Sequence, residues 1–263
     1  MANRIRFILF LFVGWLSFQP ILSFGLNIKI VESQSFVSSD SMDLRWLQIV
    51  NAMGHTGIII PQTTLDNTSF FASTDVLIIS SGSINLPANR LNTISQFLQN
   101  GKPVYLQGEY FCNASTNQGF ATLVNNLGGS FTWGNTTNGI LTLNILGSFS
   151  NTNQSTTILN GFNFGCQGTG CGIQYFLEFN AKFYGYFFCP SNPSYGSLIH
   201  ITDQDWINFS NNNLLMQNII THLTTASLCS PSTFTPLNLG SDTTLCDGQS
   251  LVLQATNPNS NYL

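Results

Sequence analysis

Acidic side chains follow two apolar segments of a chain in which charged residues make up only 7% of the total. Glu109 comes just after the segment PVYLQ at 103–107, and Asp203 and Asp205 follow SLIHIT at 197–202. If both segments are parallel strands, their carboxyl ends meet at the edge where open α/β sheets bind ligands. Converging carboxylates there could bind a cation or act as the acid and base of a hydrolase. Alternatively, Asp203 caps the turn QDWIN and Asp205 is only solvated.

We place a ligand-binding rim at these strand ends, formed by Glu109, Tyr110, Asp203, Asp205 and Trp206. Trp206 could build a sugar-stacking platform with Trp46 and Trp133, although tryptophans in apolar segments usually pack in the core. His200 lies inside the predicted strand, so we expect a core histidine and keep a ligand or base as the alternative.

Six cysteines are better explained by disulfides than by a metal site. Cys166 and Cys171 could close a tight glycine-rich loop, but a zinc site would need a second close pair that the spacing does not supply. The disulfide candidates are Cys112, Cys166, Cys171 and Cys189, and the connectivity stays open. We expect no metal and no cofactor.

The N-terminus has the pattern of a secretory signal peptide over residues 1–25. Arg4 and Arg6 precede an apolar run, and the small residues Ser23 and Gly25 follow it. An uncleaved anchor is the alternative, but the apolar run is short for a membrane span. We therefore expect a secreted or outer-surface protein. The net charge of −4 and the lack of later basic clusters argue against nucleic acid and anionic membranes as partners.

Apolar patterns predict an α/β domain over residues 26–225. Short apolar strands such as DVLIIS at 75–80 alternate with amphipathic helices, which indicates a parallel sheet with helices on both faces. From about 130 to 195, aromatic and β-branched alternation predicts an antiparallel β-rich insertion. Residues 226–237 are a Ser/Thr/Pro linker, and 238–263 begin a β-sandwich that stops mid-pattern, so we expect a truncated repeat.

The tail LGSDTTLCDGQSLVLQATNPNSNYL resembles the start of immunoglobulin-like or PKD-like repeats in secreted multidomain proteins of gliding-type bacteria. This resemblance covers about 25 residues. It implies that further repeats follow in the full-length chain and that the partner of Cys246 lies downstream.

The body resembles the class I glutamine amidotransferase-like superfamily, which has a flavodoxin-like fold. The resemblance is carried by DVLIISSG, by ISQFLQNGKPVYLQGEY and by the closing GSLIHITDQDW…NNLLMQNIITHL. It implies a three-layer α/β domain similar to the non-catalytic members of bacterial surface and transport-associated proteins. At this level it predicts architecture rather than activity.

The catalytic motifs of that superfamily are not matched here. Catalytic members place a cysteine in a G-x-C-x-G elbow, whereas this chain reads GEYFC, with Glu109 at the elbow and Cys112 several residues later. Their late His-x-Glu is replaced by His200-Ile201-Thr202-Asp203. Nucleophilic catalysis needs a thiolate, a base and an orienting acid, and the sequence supplies no such set.

These observations predict an exported, adhesin-like protein whose α/β domain is a non-catalytic binding or structural module. Its expected partner is a glycan or another cell-surface ligand. The alternative is a secreted, glycan-directed hydrolase that uses Glu109 with Asp203 or Asp205. That alternative requires the carboxylates to lie within about 12 Å of each other.

Overall fold

The computed structural model describes residues 25–33, 41–149 and 158–225. The signal peptide predicted at 1–25, except its last residue, lies outside this part of the chain, and so do the linker at 226–237 and the repeat at 238–263. None of the helices in the described ranges has the length and hydropathy of a transmembrane span.

Nine strands and four α-helices make up the described domain. The strands are β1 Asn27–Val31, β2 Thr56–Ile60, β3 Val76–Ile79, β4 Val104–Gln107, β5 Ser130–Ile145, β6 Ile158–Cys171, β7 Ile173–Phe179, β8 Lys182–Phe188 and β9 Leu198–Ile201. The helices are α1 Met42–Ala52, α2 Ala88–Gln99, α3 Ser115–Asn126 and α4 Asn213–Thr224. Short 3-10 helices cover Gln62–Asp66, Phe71–Ser73, Gly147–Phe149, Asp205–Asn208 and Ser210–Asn212.

The strands form one sheet in the order β2-β1-β3-β4-β9-β8-β7-β5-β6. Strands β2, β1, β3, β4 and β9 are parallel, and the four strands between β4 and β9 in the chain extend the sheet in antiparallel fashion. This confirms the predicted flavodoxin-like α/β fold and its β-rich insertion. The insertion leaves the parallel sheet after α3 and returns to it at β9. Its last strand, β8, pairs with β9 and places Gly185 opposite Ile201 at the carboxyl end of β9.

Helices cover both faces of the parallel strands. Helices α1 and α4 pack on one face, where Trp46, Ile49, Ile219 and Ile220 join a single apolar cluster. Helices α2 and α3 pack on the other face through residues such as Phe97. Strands β3 and β4 are buried along their whole length, which explains their continuous apolar runs.

Trp206 belongs to the core and not to the ligand-binding rim on which we placed it. Its side chain is fully buried, and its ring meets that of Trp46 edge to face at 6.4 Å. Trp46 is also fully buried and packs against Tyr105. Trp206 lies in the 3-10 helix Asp205–Asn208, and its side chain belongs to the same apolar cluster as Trp46 and Ile219. The three-tryptophan platform therefore does not form.

All four cysteines in the described residues are in disulfides. Cys112 pairs with Cys166, with the two Cα atoms 5.0 Å apart. Cys171 and Cys189 are also disulfide-bonded. The prediction that Cys166 and Cys171 close a tight loop is therefore wrong. Strand β6 runs extended through both residues and places their side chains apart.

Candidate functional site

The rim is the edge formed by the carboxyl ends of β3, β4 and β9 and by the loops that follow them. Because these strands are neighbours in the sheet order, their loops meet. The Ser83 hydroxyl donates a hydrogen bond to Glu109 Oε1 at 3.4 Å and accepts one from Gln204 Nε2 at 3.4 Å. One chain of hydrogen bonds thus links all three loops, and Glu109 lies at one end of it.

Glu109 is almost fully buried, with 5% of its surface exposed. Its Oε2 accepts a hydrogen bond from the backbone N–H of Tyr110 at 3.0 Å. Burial raises the pKa of Glu109, the Tyr110 hydrogen bond opposes that rise, and the negative charge of Asp205 adds to it.

Asp203 holds strand β6 against the rim. Its Oδ2 accepts hydrogen bonds from the N–H groups of Asn163 and Phe164 at 3.0 and 3.2 Å, and its Oδ1 accepts one from the N–H of Asp205 at 3.1 Å. The side chain is buried and the backbone φ is 64°, in the left-handed region. Burial, with help from the charge of Asp205, raises the pKa of Asp203 to about 7. Its bond to Asp205 is local, but Gln204 and not Asp203 is the N-cap of the 3-10 helix that follows, and two of the three bonds of Asp203 reach a distant strand.

Asp205 is the exposed member of the three carboxylates. Its charge raises the pKa of both Glu109 and Asp203, so the three groups lie within electrostatic reach of one another on one rim. None of them pairs with a lysine or arginine in the described ranges, where the ion pair found joins Arg90 to Asp66. Among the described residues, no three His, Cys, Asp or Glu side chains lie close enough together to hold a metal ion.

Asn117, which the sequence reasoning missed, positions the backbone of Glu109. Its Nδ2 donates to the carbonyls of Glu109 and Phe111 at 2.7 and 2.9 Å, and its Oδ1 accepts from the N–H of Glu109 at 3.2 Å. The same Oδ1 lies 3.1 Å from Nε2 of His200, which therefore donates. An asparagine in the first turn of a helix carries no pattern that would single it out.

His200 is a core residue. It is fully buried, its ring stacks on Phe120 at 4.6 Å, and burial lowers its pKa to about 3. Because the ring is fully buried, it does not reach a ligand on the rim.

Replacing Asn117 by alanine is expected to lower the free energy of unfolding by about 2 kcal/mol, because buried partners lose their hydrogen bonds. Urea unfolding would measure the loss. Asn126→Ala is the matched control, since Asn126 is exposed on the same helix and its replacement should change stability by less than about 0.5 kcal/mol. Equal effects of the two variants would contradict the positioning role of Asn117.

Neutral amides hold the rest of the rim together. Gln204 Oε1 accepts from the Ser81 hydroxyl at 2.8 Å and from the N–H of Gly82 at 2.9 Å. Gln107 Nε2 donates to the carbonyls of Ile201 and Asp203 at 3.0 and 2.7 Å. These bonds tie the ends of β3, β4 and β9 together without charged side chains.

The nucleophile elbow is absent from the rim. Non-glycine residues with positive φ in the described ranges are Asn180, Ala181 and Asp203, so Glu109 does not have the strained backbone of an elbow. Cys112, the nearest cysteine, is in a disulfide and supplies no thiolate.

An exposed aromatic pair borders the carboxylates. Tyr110 and Phe164 are 43% and 40% exposed, and their ring centroids lie 5.5 Å apart. Tyr110 also contacts Phe111 edge to face at 5.1 Å. Phe164 comes from β6, and only the folding back of the insertion brings it to the rim.

No family model and no curated protein matches the chain. Among solved structures, the chain is similar to the "mmIFT52 N-terminal domain", with 12% identity and a TM-score of 0.57, over 76% of this chain and 97% of that one. It is also similar to a ThuA-like protein from Parabacteroides merdae, with 9% identity and a TM-score of 0.50, over 76% and 90% of the two chains. A ThuA-like protein from Bacteroides uniformis has 12% identity and a TM-score of 0.48, over 78% and 95%.

Identities this low establish the fold alone. The strand order, the two helical layers and the two neighbours with TM-scores of 0.57 and 0.50 agree with one another, and the chain has a flavodoxin-like α/β fold.

Proposed function

We propose that the chain is an exported surface protein whose α/β domain is a non-catalytic, adhesin-like binding module for glycans or similar cell-surface ligands. The observation that carries this proposal is the exposed Tyr110–Phe164 pair beside Glu109 and Asp205, on a rim whose nearest cysteine, Cys112, is in a disulfide.

The chemistry of the rim suits a neutral, hydroxyl-rich ligand. An aromatic face is electron-rich and attracts the C–H face of a sugar ring, and carboxylates accept hydrogen bonds from sugar hydroxyls. The rim carboxylates have no cationic partner in the described ranges, so an anionic sugar would be repelled.

Export is supported by the Cys112–Cys166 disulfide, because disulfides persist in oxidising compartments. The signal-peptide pattern at 1–25 and the repeat-like tail at 238–263 agree with a secreted multidomain protein.

A glycan array probed with the full chain tests the proposal. We expect selective binding to neutral glycans, with Glu109→Ala and Tyr110→Ala each losing at least about tenfold in signal at a fixed concentration. Leu44→Ala is the control for Tyr110→Ala, because Leu44 is also exposed, at 55% against 43%, but lies on α1, outside the rim. Identical profiles for the wild type and both rim variants would remove the rim from consideration.

The alternative is a glycan-directed hydrolase, and the raised pKa of Glu109 beside Asp205 favours it. Asp203 is not available as the second carboxylate, since both its oxygens are bonded to backbone N–H groups. A hydrolase would therefore use Glu109 as acid and Asp205 as base. Release of reducing ends that is lost in both Glu109→Gln and Asp205→Asn would establish it.

A further inference from the structure

Strand β6 is the last strand in the sheet order, yet its residues 163–166 lie against the rim. Two long-range links hold it there. Asp203 accepts the N–H groups of Asn163 and Phe164, and Cys166 is bonded to Cys112 in the loop after β4. The linked cysteines are 54 residues apart in sequence. Both links therefore join β6 to loops that are far from it in the sequence and that no turn or hairpin connects to it.

The aromatic pair lies between these links. Tyr110 precedes Cys112 by two residues, Phe164 precedes Cys166 by two residues, and Phe164 itself donates its N–H to Asp203. The contact between the two rings is worth only about 1 kcal/mol. Fixing the backbone of one loop residue costs about 1 to 2 kcal/mol. The ring contact is therefore too weak to order the two segments by itself.

We propose that the Cys112–Cys166 disulfide and the Asp203 carboxylate are positioning groups that preassemble the Tyr110–Phe164 pair beside Glu109. The ligand-binding rim is complete only when both links are made. This inference rests on the proposed function, in which the Tyr110–Phe164 pair contacts the ligand. Preassembly matters for binding because segments that are already ordered lose little further entropy when the ligand arrives.

The Asp203 link has a matched pair of variants. Its φ of 64° is a conformation that glycine adopts freely and asparagine tolerates. Asp203→Gly therefore removes the carboxylate without straining the backbone, and Asp203→Asn keeps an acceptor oxygen. Amide hydrogen exchange of Asn163 and Phe164, measured by NMR on the full chain, is expected to rise at least about tenfold in Asp203→Gly and less than about threefold in Asp203→Asn.

The disulfide link is tested with Cys112→Ser/Cys166→Ser, which removes both sulfurs and leaves no unpaired thiol at the site. Exchange in 109–114 and 161–167 is expected to rise about tenfold, while the amides of β1 and β3 change by less than about twofold. Thr136→Val is the control, because the Thr136 hydroxyl lies 3.6 Å from the sulfur of Cys112 but is not part of the link.

Four results separate the outcomes. Unchanged exchange near the rim in both Asp203→Gly and the double serine variant overturns the positioning role. Faster exchange that extends to β1 and β3 also overturns it, because the links would then stabilise the whole domain. If a glycan binds, its Kd should rise about tenfold in Asp203→Gly and return to within about threefold of wild type in Asp203→Asn. If the variants show this local exchange response but the wild type binds no glycan, the proposed function alone is contradicted.

Discussion

The domain is expected to lose about 2 to 3 kcal/mol of stability as the pH rises from about 5 to 8, and Asp203→Asn is expected to remove most of that loss. The cause is burial, which raises the pKa of Asp203 from 3.8 to about 7 in the folded protein. Asp203 is 2% exposed, so solvent screens its carboxyl group little.

The direction follows from proton binding. Between pH 3.8 and about 7 the folded chain keeps a proton on Asp203 that the unfolded chain has released. The stabilisation is therefore fully present below the unfolded pKa and is lost as the pH rises through the folded pKa. The whole shift corresponds to at most about 4 kcal/mol. Glu109, whose pKa is also raised by burial, acts in the same direction.

Urea unfolding at several pH values, followed by the fluorescence of buried Trp46 and Trp206, would measure this effect. Asp205→Asn is the informative control, because removing its charge lowers the pKa of Asp203 and should reduce the pH dependence only in part. A wild type and an Asp203→Asn variant with the same pH dependence would show that Asp203 does not hold its proton near neutral pH.

Gly82→Ala is expected to destabilise the domain by about 3 kcal/mol or more and to open the rim. A Cβ at Gly82 would lie 2.2 Å from the carbonyl oxygen of Gly108 and 2.7 Å from the nitrogen of Glu109. These are backbone atoms, so the loop after β3 would have to move away from the loop after β4. The Ser83–Glu109 and Gln204–Gly82 hydrogen bonds would be lost with that movement.

Thermal unfolding would measure the loss of stability in Gly82→Ala, and a glycan-binding assay would measure the effect of the opened rim. Gly134→Ala is the matched control, because its nearest neighbour is the flexible side chain of Gln167 at 3.3 Å. We expect that control to stay within about 1 kcal/mol of wild type. A Gly82→Ala protein that is as stable as the control would mean that the two loops need not approach so closely.

The sequence was sufficient for the fold because the fold depends on local patterns. Continuous apolar runs identify buried parallel strands such as β3, and aromatic alternation identifies the insertion. The position of Glu109 and Asp203 after two such strands also placed both residues at one edge of the sheet. Placing the two residues together required only that the strands be parallel, because neighbouring parallel strands have their carboxyl ends at the same edge of the sheet.

The rest of the site depends on contacts between distant segments. Phe164 reaches Tyr110 only because β6 folds back over the rim, and no periodic pattern encodes that return. Asn117 and Gln204 are ordinary amides in an amide-rich chain, and their roles come from the backbone groups that surround them. Trp206 was misplaced for a related reason: a side chain next to a strand end can point to either side of a 3-10 turn.

The most direct test of the central claim is ligand-observed NMR of the best glycan from the array, mixed with the full chain and followed over a day. We expect the ring-proton signals of the glycan to broaden with the wild type and to stay sharp with Tyr110→Ala/Phe164→Ala. The integrated area of the anomeric signals should stay constant over the day. New reducing-end signals that depend on Glu109 would contradict a non-catalytic module. Equal broadening by the wild type and the double variant would contradict binding at the rim.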